Sequence, residues 1–369
     1  MRVGYLVHDL NDAAVLRRAR MLEMGSAQVE LAGFARDMRL REGIATREPL
    51  VLGQSKDAAF IQRASLALRK ALANGELKER FADCDVVIAR NLEQLAIAAR
   101  IVGSRPLVYE CLDIHRLLLG SSVPARIVQR LEAALLPRCD MLITSSPAFI
   151  SNHFSHRPIS APIELVENKL LLDPEDPPAK PSSALDRSGP LVVGWFGMLR
   201  CKRTLGFLED LVEAAEGRIK VLIAGKPSLA EVPDLVERAQ RNPHIDFHGA
   251  YNYTDLPELY GRCDFAWSVD WFEEGLNSAW LLPNRLYEAI TYGCVPIALA
   301  DVEVGRWLAA HDAGLIVADA ADAKSTLFEM TREQASALRR EIEAIPSSKT
   351  TADTTDCTTL VERLEELVV

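Results

Sequence analysis

A chain of 369 residues, 49% hydrophobic and 25% charged, exceeds the ~250–300 residues at which one core stops growing, so two soluble domains are expected. Its net charge of −10, with no basic stripe interleaved with aromatics, argues against a nucleic-acid partner, and no apolar run approaches the ~18 residues of a membrane span. Seven cysteines without a C-x-x-C pair, and histidines without ligand spacing, imply neither a disulfide framework nor a metal site, and no cofactor.

The amino terminus, MRVGYLVHDLND, lacks the long apolar core of a signal peptide and reads as a first strand, which makes the cytoplasm the expected location. From there apolar runs alternate with amphipathic segments. Strands are expected at VGYLV, VELAGFA, PLVLG, DVVIAR, LVYECL, DMLITSS and IELVEN, with helices at 12–24, 57–73, 91–102, 123–136 and 147–154. Residues 1–172 form the first domain. The Pro-, Ser- and charge-rich stretch 173–190 reads as a linker.

The alternation restarts over 191–345: LVVGWFG, helix 204–215, IKVLIAG, helix 228–241, IDFHGA, helix 255–261, DFAWSV, helix 283–292, VPIALA, helix 303–310 and GLIVAD. Residues 346–369 read as a polar loop followed by an amphipathic helix, LVERLEELVV. Such βα repetition predicts doubly wound parallel sheets covered on both faces, two of them facing a central cleft.

Two short stretches carry chemistry. In GWFGMLRCKRTLGFL, Gly197 ends a strand and Arg200, Lys202 and Arg203 crowd the turn into the next helix. Three cations in four residues repel one another unless an anion sits among them, and helix amides point the same way. A diphosphate suits them, the alternative being an exposed basic turn. In LLPNRLYEAITYGCVPIAL, a lone acid, Glu288, sits among apolar neighbours of a helix that Pro283 can start and Gly293 can end. Either Glu288 holds a polar ligand, or it forms a surface ion pair with Arg285 three residues back.

Together with VLIAGK and NPHIDFHGAYNYTDLPELYGRCDFAWS, these stretches resemble the donor domain of GT-B glycosyltransferases, group 1 or family 4, in the family's order and over nearly the whole second domain. The first domain is similar only loosely, through VYECLDIH and DMLITSSPAF. The resemblance implies two Rossmann-like domains and a nucleoside-diphosphate sugar donor, UDP-sugar favoured. Arg200 and Arg203, with Lys202 and Gly197, would hold the diphosphate, and Glu288 both ribose hydroxyls. Many members carry a second glutamate eight residues earlier, where this chain has Trp280, leaving sugar identity and stereochemical outcome open. The LPN variant, with Asn284, occurs in exopolysaccharide-type members. Asn284 and Arg285 are therefore donor-sugar candidates, and Asn277, with Glu273 and Glu274, either supplies replacement contacts to the sugar or belongs to a solvated loop.

On the acceptor side, Asp113 and His115 follow the buried strand of VYECLDIHR. Asp113 would act as general base or orient His115, against a helix cap with a loop histidine. Asp9 and Asn11 in VHDLND are further acceptor-side candidates, and Asp12 reads as a cap. The implied reaction is metal-independent transfer of a hexose to a hydroxyl of a glycan or a polyprenyl-diphosphate-linked oligosaccharide in cell-surface polysaccharide synthesis. The alternatives are a UDP-sugar 2-epimerase-like enzyme and a catalytically silent scaffold of an envelope-assembly complex. Residues 1–130 hold 20 Lys/Arg against 15 Asp/Glu, the remainder 22 against 37. With Arg17, Arg18 and Arg20 on helix 12–24, and Arg63, Arg69 and Lys70 on helix 57–73, that asymmetry suggests peripheral attachment to an anionic membrane surface, on the inner face of the cell membrane.

Overall fold

A computed structural model describes residues 1–35, 48–54, 75–175, 189–272 and 274–368. The chain divides into two units, Met1–Glu167 with Ala352–Val369, and Asn168–Thr351. The expected helix 57–73 and most of the expected linker 173–190 lie outside the described residues.

In the first unit, β1 (Arg2–Val7), β2 (Gln28–Ala35), β3 (Leu50–Gln54), β4 (Val86–Arg90), β5 (Leu107–Cys111), β6 (Met141–Thr144) and β7 (Ile163–Leu165) form one sheet in the order β3-β2-β1-β4-β5-β6-β7. Every pairing is parallel. The central strands are buried along their length, as a sheet covered on both faces requires. That is why their sequences are nearly continuous apolar runs. Val3, Tyr5, Leu22, Val86, Val108 and Ile143 belong to one core.

The second unit opens with β8 (Leu170–Leu171). Its sheet contains β9 (Leu191–Leu199), β10 (Ile219–Pro227), β11 (Ile245–Gly249), β12 (Phe265–Trp267), β13 (Val295–Leu299) and β14 (Leu315–Val317), in the order β11-β10-β9-β12-β13-β14. It too is wholly parallel. A final short strand, β15 (Thr351–Ala352), pairs with β8. Strand order reverses between β9 and β12, and ligands of open α/β sheets bind outside the carboxyl ends of strands at such a point. There Gly225 takes φ +149, and a Cβ on it would meet the Gly197 carbonyl oxygen at 1.9 Å, so glycine alone allows β9 and β10 to run so close together.

Two expected helices change and two more appear. The one placed at 228–241 is only Leu235–Arg241, its first half being turn around Pro233. Helices Ala320–Glu329 and Arg332–Glu343 fill a stretch for which the sequence reading named none. The last helix starts at Thr354 rather than within LVERLEELVV, because the Thr- and Asp-rich run holds a capping box in which Asp353 and Asp356 satisfy each other's amides. This helix packs in the first unit, where Leu360, Val361 and Leu364 join its core.

Candidate active site

The site in the second unit begins where β9 ends. Helix Lys202–Ala214 follows, capped by the Cys201 sulfur, which accepts from the Thr204 amide at 3.4 Å. Gly197, with φ +106, and Arg200 line a cavity of about 260 Å³ with Tyr251, Ser268, Asp270, Asn284, Arg285 and Glu288. The three cations of the turn therefore part company. The Arg200 guanidinium lies 4.3 Å above the Phe272 ring and 3.9 Å from Asp270 Oδ2. Arg203 lies 4.3 Å above the Trp271 ring and pairs with Glu274 at 2.5 Å. Lys202 is exposed. Lys202 and Arg203 are the first residues of a helix, so each step rotates the side chain by about 100°. Neighbours in sequence then point to different places.

Glu288 stands in helix Asn284–Thr291, for which Pro283 is the residue before the first turn. Its Oε2 accepts from the Tyr260 hydroxyl at 2.9 Å. Burial first, and then the charge of Glu288, raise the phenols of Tyr260, Tyr251 and Tyr292 above the usual tyrosine range, so all three stay protonated. Tyr260 is itself fixed by an edge contact with Phe196 (centroids 4.6 Å) and a stack on Tyr292 (6.0 Å). Arg285 turns away from the ion pair that its spacing suggested: its guanidinium lies 3.4 Å from Asp270 Oδ2, so Asp270 sits between Arg285 and Arg200.

Of the remaining donor-side candidates, Asn284 lines the cavity and Asn277 is buried beside Ser278, which lines it too. Trp280 is half-buried, and Glu273 lies outside the described residues. Sequence reasoning passed over Ser268, Asp270 and Tyr260. Ser268 is 3% exposed, and its buried hydroxyl has no hydrogen-bond partner among the described residues. No motif marks these three. Only the adjoining strand ends and the helix Leu256–Gly261 bring them together.

In the first unit Asp113 is exposed on the loop after β5. His115 is the amino-terminal cap of the short helix Arg116–Leu119, its Nδ1 accepting from the Leu117 amide at 3.2 Å, so the ring's general-base capacity at that nitrogen is already used. Asp9 is buried and accepts from the Asn11 amide at 3.1 Å, closing the turn after β1. Asp12 caps helix Ala13–Met24 through the Ala14 amide at 2.8 Å.

Beneath these lies a charge network that the sequence reading did not foresee. Glu110, fully buried, accepts from Arg18 at 2.6 Å and from the Tyr5 hydroxyl, and lies 3.5 Å from Arg90. Burial alone would raise the Glu110 carboxyl, but Arg18, Arg90 and the Tyr5 hydrogen bond together hold it below the usual range. Arg18, read as a surface cation, is 3% exposed and serves the interior.

A scan of protein-family models finds no match to this chain. The succinoglycan biosynthesis protein ExoL of Rhizobium meliloti (strain 1021) is 40% identical over 382 aligned positions, covering all of this chain and 94% of that protein. Among solved structures, the sucrose-phosphate synthase of Thermosynechococcus elongatus is similar with a TM-score of 0.72 at 13% identity, over 99% of this chain and 98% of that one. Anabaena Alr3699/HepE, in complex with UDP and glucose, is similar with a TM-score of 0.69 at 16% identity, over 99% of both chains. Built on the GT-B fold of these glycosyltransferases, the chain belongs to the family of the succinoglycan biosynthesis protein ExoL.

Proposed function

We propose that this glycosyltransferase of exopolysaccharide synthesis takes a hexose from a UDP-sugar and delivers it to a hydroxyl of a growing, polyprenyl-diphosphate-linked glycan. One observation carries the reading: Gly197, Arg200 and Glu288, singled out for a diphosphate and a ribose, line the same cavity at the strand-order reversal of the second unit. Arg200 meets the diphosphate there, with Arg203 and Lys202 on the adjoining helix start adding positive field. Glu288 accepts from the two vicinal ribose hydroxyls, a task for which a carboxylate has enough lone pairs. Asn284, Arg285 and Asn277 face the sugar. The HepE complex with UDP and glucose, on the same fold, supports the choice of donor.

In the transfer, the acceptor oxygen bonds to the anomeric carbon as the bond from that carbon to the diphosphate oxygen breaks. The acceptor's proton passes to Asp113, exposed and acidic, and His115 helps to shape that loop as a cap. Arg200 and its neighbouring cations neutralise the departing diphosphate, the role otherwise taken by a metal ion. Asp9 and Asn11 form the wall of the acceptor side. The lipid carrier implies reversible attachment to the anionic inner face of the cell membrane. Among the described residues no helix is long and apolar enough to cross a membrane, so attachment would be peripheral.

Titration calorimetry with UDP tests the donor site. Arg200→Ala should weaken binding by about 1.5–3 kcal/mol, roughly ten- to a hundredfold, since a charge-assisted contact is lost. Unchanged affinity would refute the assignment. Incubation with UDP-sugars separates the chemistries: transfer needs a lipid-linked acceptor, a 2-epimerase converts the sugar without one, and a silent scaffold does neither.

A further inference from the structure

The exposed face of helix Val123–Leu135 is unusual in this molecule. Val123 is 69% exposed and Ile127 57%, two of the most exposed large apolar side chains among the described residues. Arg126, Arg130 and Ala134 are exposed beside them. At 3.6 residues per turn, these five side chains fall within an arc of about 100°. The opposite arc, with Ala125, Val128, Glu132 and Leu135, is buried.

Charge is sorted across the same helix. Its one acid, Glu132, is turned inward and fully buried, where His153 Nε2 lies 2.9 and 3.1 Å from its two oxygens and Arg157 Nε 3.2 Å away. The outer face of the helix therefore carries only positive charge, and the preceding short helix exposes Arg116. Among the described residues no ion pair engages Arg116, Arg126 or Arg130, whereas most other arginines of the first unit find a carboxylate. Gln129 donates to the carbonyls of Leu118 and Gly120 at 2.9 and 2.8 Å, tying the two helices together so that the face is presented as one piece.

We propose that this face, Val123 and Ile127 flanked by Arg126 and Arg130 with Arg116 exposed on the preceding helix, is the surface by which the protein docks on an anionic lipid bilayer. Rim arginines attract anionic headgroups, and the two apolar side chains enter the boundary between headgroup and acyl chain. This cationic, apolar face is complementary to anionic lipid, whereas the same face of a second copy, met across a two-fold axis, would oppose it with like charge. The face also follows directly after the loop of Asp113 and His115, which places the acceptor-side candidates near the bilayer edge. The inference rests on the peripheral attachment proposed above and adds a second surface to the one expected from the sequence, of which Arg18 is internal and helix 57–73 lies outside the described residues.

The test is sedimentation of the full-length protein with vesicles of phosphatidylcholine and phosphatidylglycerol, against phosphatidylcholine alone, at low and high salt. Wild type should bind the anionic vesicles and release them in salt. Each arginine lost should weaken binding about fivefold, so Arg126→Glu with Arg130→Glu should abolish it, and Val123→Ser with Ile127→Ser should lower it roughly tenfold or more. UDP affinity of both variants should equal wild type, which shows that they fold. If the variants bind vesicles as wild type does, attachment stands and this surface is wrong. Wild type that binds neither vesicle overturns the attachment as well. A concentration-dependent dimer that Val123→Ser and Ile127→Ser dissolve, without vesicle binding, would assign the face to a second copy instead.

Discussion

Glu288 is the residue on which sequence and geometry converge most closely. A lone acid in an otherwise apolar helix is visible in the sequence. The tyrosine that aims it is not, because Tyr260 lies 28 positions away on another helix. The phenol is held protonated by burial and by the carboxylate it faces, so it can only donate to Glu288. If Glu288 grips the ribose, Glu288→Gln should lower affinity for UDP roughly tenfold or more while hardly changing that for 2′-deoxy-UDP. Tyr260→Phe should repeat the pattern more weakly, by about 0.5–1.5 kcal/mol, because it loosens the carboxylate without removing it. Calorimetry with both nucleotides measures this, and equal losses for the two would make Glu288 a structural residue. The basic turn teaches the opposite lesson: Arg200, Lys202 and Arg203 are close in sequence, yet of the three only Arg200 lines the cavity.

At the scale of elements, strands were legible because burial on both faces leaves them almost wholly apolar. Helix ends were less so, since Thr- and Asp-rich runs serve loops and caps alike, as at 353–356. Least legible was the charge network that ties helix Ala13–Met24 to β1, β4 and β5. Arg18, Arg90 and Glu110 carry no pattern, and an arginine on an amphipathic helix reads as surface by default. Removing Glu110 leaves Arg18 buried without a counter-charge and Arg90 with only the field of Asp12. Glu110→Gln should therefore cost about 3–5 kcal/mol at neutral pH, measured by urea unfolding. The sign of the pH dependence follows from its lowered carboxyl. The native form holds fewer protons than the unfolded one, so this stabilisation is full above the ordinary glutamate value of about 4.3 and is lost as pH falls through the lower native value. Wild type and variant should converge in acid. A difference that persists unchanged to low pH would locate the cost in packing rather than charge.

The chain as a whole returns its last helix to its first unit, and no local signal announces this. Amphipathicity says that helix Thr354–Glu365 is packed against something, but its partner, helix Ala13–Met24, is more than 300 residues away. The contact is close. A Cβ on Gly25 would lie 2.4 Å from the Cys357 carbonyl oxygen, and Leu360, Val361 and Leu364 are core residues shared with Val3 and Tyr5. Three such side chains contribute about 5–9 kcal/mol at ~1.5–3 kcal/mol each, as much as the whole stability of many domains. A chain ending at Ala352 should therefore lose the cooperative melting of the first unit, while the second keeps its transition and its affinity for UDP. Gly25→Val should weaken the same contact in the full-length chain and lower the first transition only. Differential scanning calorimetry, with and without UDP, resolves the two units because ligand shifts only the one that binds it. If the shortened chain melts as the intact one does, the helix is an appendage. If UDP affinity falls with the first transition, the donor site depends on the first unit as well as the second.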